Sequence, residues 1–170
     1  GSASLLSSTY KNYEIHFNEV TNTAGNYQSG GRELFFRILH ASGVRTDQRY
    51  AWGMNDPSGT SAGSTLKRQN YNRNTLVFHT AGTANAASSD SCVNGMLRFY
   101  NPSDTAFVKT WNYCVSNVPD PSQYGVATTF NANGGGGYTD LTNAITGFQF
   151  AFSSNSANIR TGVFKLYGIT

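Results

Sequence analysis

Apolar residues in this chain recur at every second position, in run after run, and nowhere hold a helical period. Successive side chains of a strand point to opposite sides, so the pattern fits strands with one buried and one wet face. Tyr13, Ile15 and Phe17 alternate with Glu14, His16 and Asn18, and Tyr50, Trp52 and Met54 with Ala51 and Gly53. Further runs hold Leu76 and Phe78; Val93, Leu97 and Phe99; Phe107, Trp111, Tyr113 and Val115; and Tyr124, Val126, Thr128 and Phe130. Phe148, Phe150 and Phe152 alternate most cleanly, and Phe164 with Leu166 closes the chain. Leu34, Phe36 and Ile38 differ, because Phe35 and Leu39 make their other face apolar too.

Turn-forming residues separate these runs, at Asn22 to Gly25, Ser29 to Gly31, Asp56 to Gly59, Asn101 to Asp104 and Ser153 to Ser156. Two longer loops are expected at Pro57 to Ser64 and Asn131 to Gly137. About eight or nine strands with no helix between them predict an all-β fold, an antiparallel β-sandwich of jelly-roll-like form. Residues 1–170 read as one domain, without linker or internal repeat. Gly1-Ser2 looks like the remnant of a cleaved expression tag and carries no fold argument.

Only 12% of residues are charged, about half the usual share, against 14% aromatic and 18 glycines. Solubility therefore rests on hydroxyls and amides, a balance suited to extracellular or particle-surface β-proteins. The net charge is +3, but the basic residues are scattered, with Lys67, Arg68 and Arg73 the tightest grouping, so no nucleic-acid partner is expected. No apolar run approaches the roughly 20 residues of a membrane helix.

The two cysteines allow a sharper argument. Strands Cys92–Tyr100 and Phe107–Val115 flank a short turn and should form a hairpin. If Phe99 faces Phe107, then Cys92 faces Cys114, because each cysteine lies seven residues from that pair. Facing Cα atoms at a non-hydrogen-bonded position lie about 4.5 Å apart, within disulfide range. A disulfide and two reduced thiols both remain open readings, and a register slip would separate the pair.

Catalytic chemistry finds little footing. Glycoside hydrolysis needs two carboxylates facing across a bond. Glu14 points to solvent on its strand, while Glu19 and Glu33 sit near strand ends. His16, His40 and His79 read as exposed or edge positions, and no Gly-x-Ser-x-Gly elbow occurs. Gly134 to Gly137 lacks the Lys and the helix of a phosphate loop and reads as a flexible loop. Ser88 to Ser91 offers one carboxylate, too few for a metal site. Neither enzyme activity, cofactor nor metal is expected.

What remains is aromatic and amide surface, the chemistry that sugars stack on and hydrogen-bond to. Tyr71, Asn72 and Arg73, with Tyr138 and Asp140 beyond the glycines, form the candidate ligand-binding set, read as lying in or beside turns; Tyr27-Gln28 is similar. Trp52 and Trp111 alternate within strands and are assigned to the core.

The C-terminus carries a resemblance. Ile145-Thr146-Gly147-Phe148-Gln149-Phe150-Ala151-Phe152-Ser153-Ser154, then Asn158-Ile159, then Thr161 to Ile169 resembles a closing phrase, TGxxFxxSSGNIxSGxxxLYGI, of structural proteins of tailed bacteriophages. Tyr10 to Val20, Leu34 to Leu39, Tyr50 to Gly53 and Gly95 to Ser103 fit the same family in order. Asn155-Ser156-Ala157, where the family has a lone Gly, and the two cysteines depart from it. The resemblance implies a virion component (tail, spike, fibre or head decoration) and transfers no catalytic residue. Together with the aromatic and amide surface, this gives a first reading: a virion-surface sandwich that self-associates, with a trimer favoured, contacts other virion proteins and touches a host-surface glycan. The alternatives are a decoration protein that recognises no host, a carbohydrate-binding module of a secreted bacterial protein and, more distantly, a glycan hydrolase. Phe35 and Leu39, apolar on an outer face, are the expected site of self-association.

Overall fold

The computed structural model describes residues 5–23, 34–56, 66–78, 92–117, 130–139, 143–152 and 158–170. All their regular structure is strand: β1 (Asn12–Asn22), β2 (Leu34–His40), β3 (Gly43–Val44), β4 (Tyr50–Asp56), β5 (Leu66–Arg73), β6 (Leu76–Val77), β7 (Val93–Tyr100), β8 (Lys109–Asn117), β9 (Phe130–Tyr138), β10 (Gly147–Phe152) and β11 (Ile159–Ile169). One antiparallel sheet has the order β11-β1-β7-β8-β9-β4-β5; the other has β10-β2-β3, with β6 also paired to β2. The chain passes repeatedly between the sheets, as in jelly-roll-like sandwiches.

The alternation read from sequence sets which faces meet. Tyr13, Ile15 and Phe17 of β1, Leu97 and Phe99 of β7, and Trp111, Tyr113 and Val115 of β8 point inward and are buried. From the smaller sheet, Phe36 and Ile38 point back at them. The Phe36 ring lies 6.1 Å from Phe99, 6.0 Å from Trp111 and 5.5 Å from Phe150. Each such ring contributes about 1.5–3 kcal/mol by leaving water. Trp52 and Trp111 are core residues.

Gly134 to Gly137 are no loop. They form the middle of β9, paired with β8 on one side and β4 on the other. Trp111 and Tyr113 of β8 explain two of the four: a Cβ on Gly136 would lie 3.0 Å from the Trp111 indole nitrogen, and one on Gly134 would meet the Tyr113 ring. Glycine here makes room for aromatic side chains lying over the neighbouring strand. Gln69 to Arg73, expected near turns, belong to β5. His40 is buried, with Ser42 hydrogen-bonded to its ring, so it is neither exposed nor at an edge.

The apolar outer face of β2 is covered as well. Phe35 is buried, with the Arg37 guanidinium 4.5 Å from its ring centre, and Leu39 is half-buried. The motive for self-association on that face is thereby removed.

The hairpin of β7 and β8 exists, but with Phe99 opposite Trp111 and Cys114 opposite Met96. The turn is longer than expected because Asp104 accepts from the backbone N–H groups of Ala106 and Phe107 and from Asn101 Nδ2. That holds Phe107 in the turn, 71% exposed, so the strand begins only at Lys109. Cys92 therefore does not face Cys114. Both are free thiols, Cys92 half-buried and Cys114 exposed, and the disulfide reading falls.

Candidate functional site

Of the expected ligand-binding set, Arg73 and Tyr138 come to one level of the large sheet, because Tyr50 on β4 pairs with both. Arg73 is exposed at the end of β5. Tyr71 and Asn72 precede it on that strand, their side chains lying outside the described part, as does Asp140 with Tyr27, Gln28, His79, Asp90 and the run at Tyr124 to Thr128. Tyr138 is the last residue of β9 and is buried, not a loop aromatic facing solvent.

Its hydroxyl is the hub of a polar cluster. Tyr138 OH donates to the Asp47 carboxylate at 2.8 and 2.9 Å and accepts from Arg45 Nε at 2.8 Å. Asp47 also receives an Arg45 terminal nitrogen at 2.7 Å and Arg49 Nε at 3.0 Å. Tyr50 OH donates to the Arg45 carbonyl at 3.1 Å and accepts from Ile38 N–H at 2.9 Å. Both Asp47 oxygens are thus taken, so the cluster is a latch. It locks residues 45–49 onto the ends of β2, β4 and β9. Arg49, with its side chain 51% exposed, is the member that reaches solvent.

The latch biases its own titration. Burial works to raise the Asp47 pKa, but hydrogen bonds from Arg45 and Tyr138 and the Arg45 charge outweigh it, leaving the carboxyl below its ordinary 3.8. Burial and the Asp47 hydrogen bond push the Tyr138 phenol up to about 12. Burial raises Tyr50 too. A lowered carboxyl stabilises the fold above its unfolded pKa, so that contribution is lost as pH falls below 3.8. A raised phenol stabilises below its unfolded pKa of 10.0, and that contribution is lost as pH climbs towards 12. Tyr138→Phe removes the hub hydroxyl and should cost about 1–2 kcal/mol at neutral pH. Urea unfolding across pH should also show a reduced alkaline loss in that variant, Tyr50 keeping the remainder. An unchanged alkaline limb would mean that Tyr138 is not the group titrating.

A second surface was not foreseen. β11 closes one edge of the large sheet, pairing with β1 from Asn12↔Ile169 to Asn22↔Ile159. No described strand lies on its other side. Ile159 (36%), Val163 (51%), Phe164 (37%) and Tyr167 (46%) are exposed on it. Phe164 lies 5.0 Å from Phe150 of β10, the edge of the smaller sheet. Between these two sheet edges runs a groove of about 400 Å³, lined by Leu5, Ile15, Phe148, Phe150, Ile159, Phe164 and the flanking Lys165 and Leu166. Phe148, Phe150 and Leu166 are only partly buried. The warning in sequence was the run Ile159 to Ile169, where apolar residues fall on both parities, at Val163 and Tyr167 as well as Phe164 and Leu166.

No protein family, curated protein or solved structure matches the chain.

Proposed function

We propose that this domain is a surface module of a tailed-bacteriophage particle, holding to neighbouring virion proteins through its C-terminal flank. The observation that supports it is the position of β11. The segment carrying the resemblance to phage structural proteins is also the exposed apolar edge of the sandwich, and clustered exposed apolar surface marks interaction sites. Peptide mass spectrometry of particles purified from the host that carries the gene tests the reading. Intact particles are first labelled with a membrane-impermeant amine reagent. Labelled peptides of this chain should appear in the particle fraction, and recovery only from the soluble fraction would overturn the reading.

Contact with a host-surface glycan is a second role for the opposite edge of the large sheet. It is favoured by the solvent-facing Arg49 guanidinium and the exposed Arg73 at the latch, donors suited to sugar hydroxyls and carboxylates. Tyr138 leaves the ligand set, since its ring is buried and its hydroxyl is committed to Asp47. Binding on a glycan array that weakens in Arg73→Ala, with unchanged unfolding, supports that role. An array without binding leaves the structural decoration reading alone.

A further inference from the structure

We propose that the partner on the C-terminal flank is a second copy of this chain, its β11 running antiparallel beside the first about a two-fold axis. Two seven-stranded sheets then join edge to edge. The proposal rests on the particle reading only for its setting and names the partner of the same surface.

Nine large hydrophobic residues are exposed among the described residues, and six of them gather here: Leu5, Tyr10, Ile159, Val163, Phe164 and Tyr167. Apolar residues scattered singly over a surface need no partner, but a contiguous group does. The strand is apolar on both sides. Phe164 pairs with the inward Phe17, whereas Val163 and Tyr167 pair with the outward Asn18 and Glu14. A peptide lying in the groove would cover only the inner side, while a strand backed by its own sandwich covers both.

The other edges explain why that strand is β11 itself. The far edge, β5, has the sequence LKRQNYNR, with three cations, and β3 is two residues long. Head-to-tail pairing of β11 with β5 sets apolar side chains against charge. Two-fold pairing sets Phe164 against Phe164 and Ile159 against Ile169, and it closes at two copies, which replaces the trimer favoured from the resemblance. With Phe164 at the axis, Lys165 falls opposite the second copy's Val163, and Arg160 opposite the second copy's Gly168, so no two cations face directly. The size also fits. Eleven residues span roughly 36 Å and the sandwich flank is roughly 20 Å across, giving about 700 Å² per copy, close to the roughly 800 Å² of a standard stable interface.

Sedimentation velocity of the full chain tests this. At about 100 μM the protein should sediment at twice the chain mass. Val163→Lys, which sets like charge against Lys165, should weaken the dimer about tenfold or more, while Val163→Glu, facing the same lysine, should retain it. Tyr167→Lys reads the same surface if Val163→Lys does not fold, and Phe107→Ser on the remote hairpin turn should change nothing. A monomer, a trimer, or a dimer indifferent to these β11 substitutions overturns the proposal. The particle reading stands or falls separately, on whether the chain is found in virions.

Discussion

Phe36→Ala is expected to lower the unfolding free energy by about 4 kcal/mol, within the range of about 3–5 for buried aromatic truncations. Phe36 is fully buried and touches rings from both layers: Phe148 at 5.4 Å and Phe150 at 5.5 Å beside it, Phe99 and Trp111 across the sandwich, and Phe78. Those neighbours are held by two different sheets, so the cavity cannot collapse by moving one element. A domain of this size is stable by roughly 5–15 kcal/mol, which makes the loss a large fraction of the total. The melting midpoint should fall by about 8–16 °C. Phe35→Ala provides the comparison on the opposite face. Phe35 is also buried, but a flexible arginine lies over it, so relaxation should hold its cost to about half. Equal effects of the two substitutions in urea unfolding would contradict the assignment of Phe36 to the shared core.

Gly134→Ala should destabilise by about 2–3 kcal/mol, against an ordinary gain of about 0.4–1 when alanine replaces a compatible glycine. The added methyl would meet the Gly53 carbonyl oxygen and the Tyr113 hydroxyl. The first is backbone of a paired strand and the second belongs to a buried ring, so neither yields cheaply. Gly136→Ala meets the Ala51 carbonyl oxygen and the Trp111 indole and should behave alike. Gly147 is the control, since its nearest neighbours are Leu39 and Leu5 side chains at 3.9 Å, ordinary contact. Gly147→Ala should be neutral or slightly stabilising in the same thermal scans. If the three behaved alike, β9 would not lie beneath the aromatic residues of β8.

These glycines also show where sequence reading reached and where it stopped. Alternation located β1, β2, β4, β7, β10 and β11, because a half-buried strand writes its two environments into successive residues. It missed β5, whose polar run reads as turn, and β9, where Gly134 and Gly136 answer to the bulk of Trp111 and Tyr113 on the adjacent strand, a tertiary demand that looks like a breaker in isolation. The cysteine pairing failed for a related reason. Register depends on the length of the turn, and Asp104 extends that turn by capping two backbone N–H groups that strand periodicity does not reveal. Tyr138 was read as a loop aromatic open to a ligand, whereas it ends β9 with its ring buried and its hydroxyl bonded to Asp47 within the chain. The run Ile159 to Ile169 is apolar on both parities, but that pattern fits a strand buried on both faces as well as an exposed edge, and strand order decides between them.

Hydrogen exchange along β11 tests the role of that edge most directly. In an antiparallel edge strand, alternate amides bond to the neighbouring strand and the others face outward without a strand partner. In dilute protein, alternate amides within Ile159 to Ile169 should therefore exchange rapidly while those bonded to β1 are protected. Raising the concentration should slow the outward-facing set, and Val163→Lys should restore its fast exchange. Outward amides that exchange equally fast at every concentration, alone and in the presence of purified virions, would contradict the assignment of the C-terminal flank as the surface by which this domain assembles.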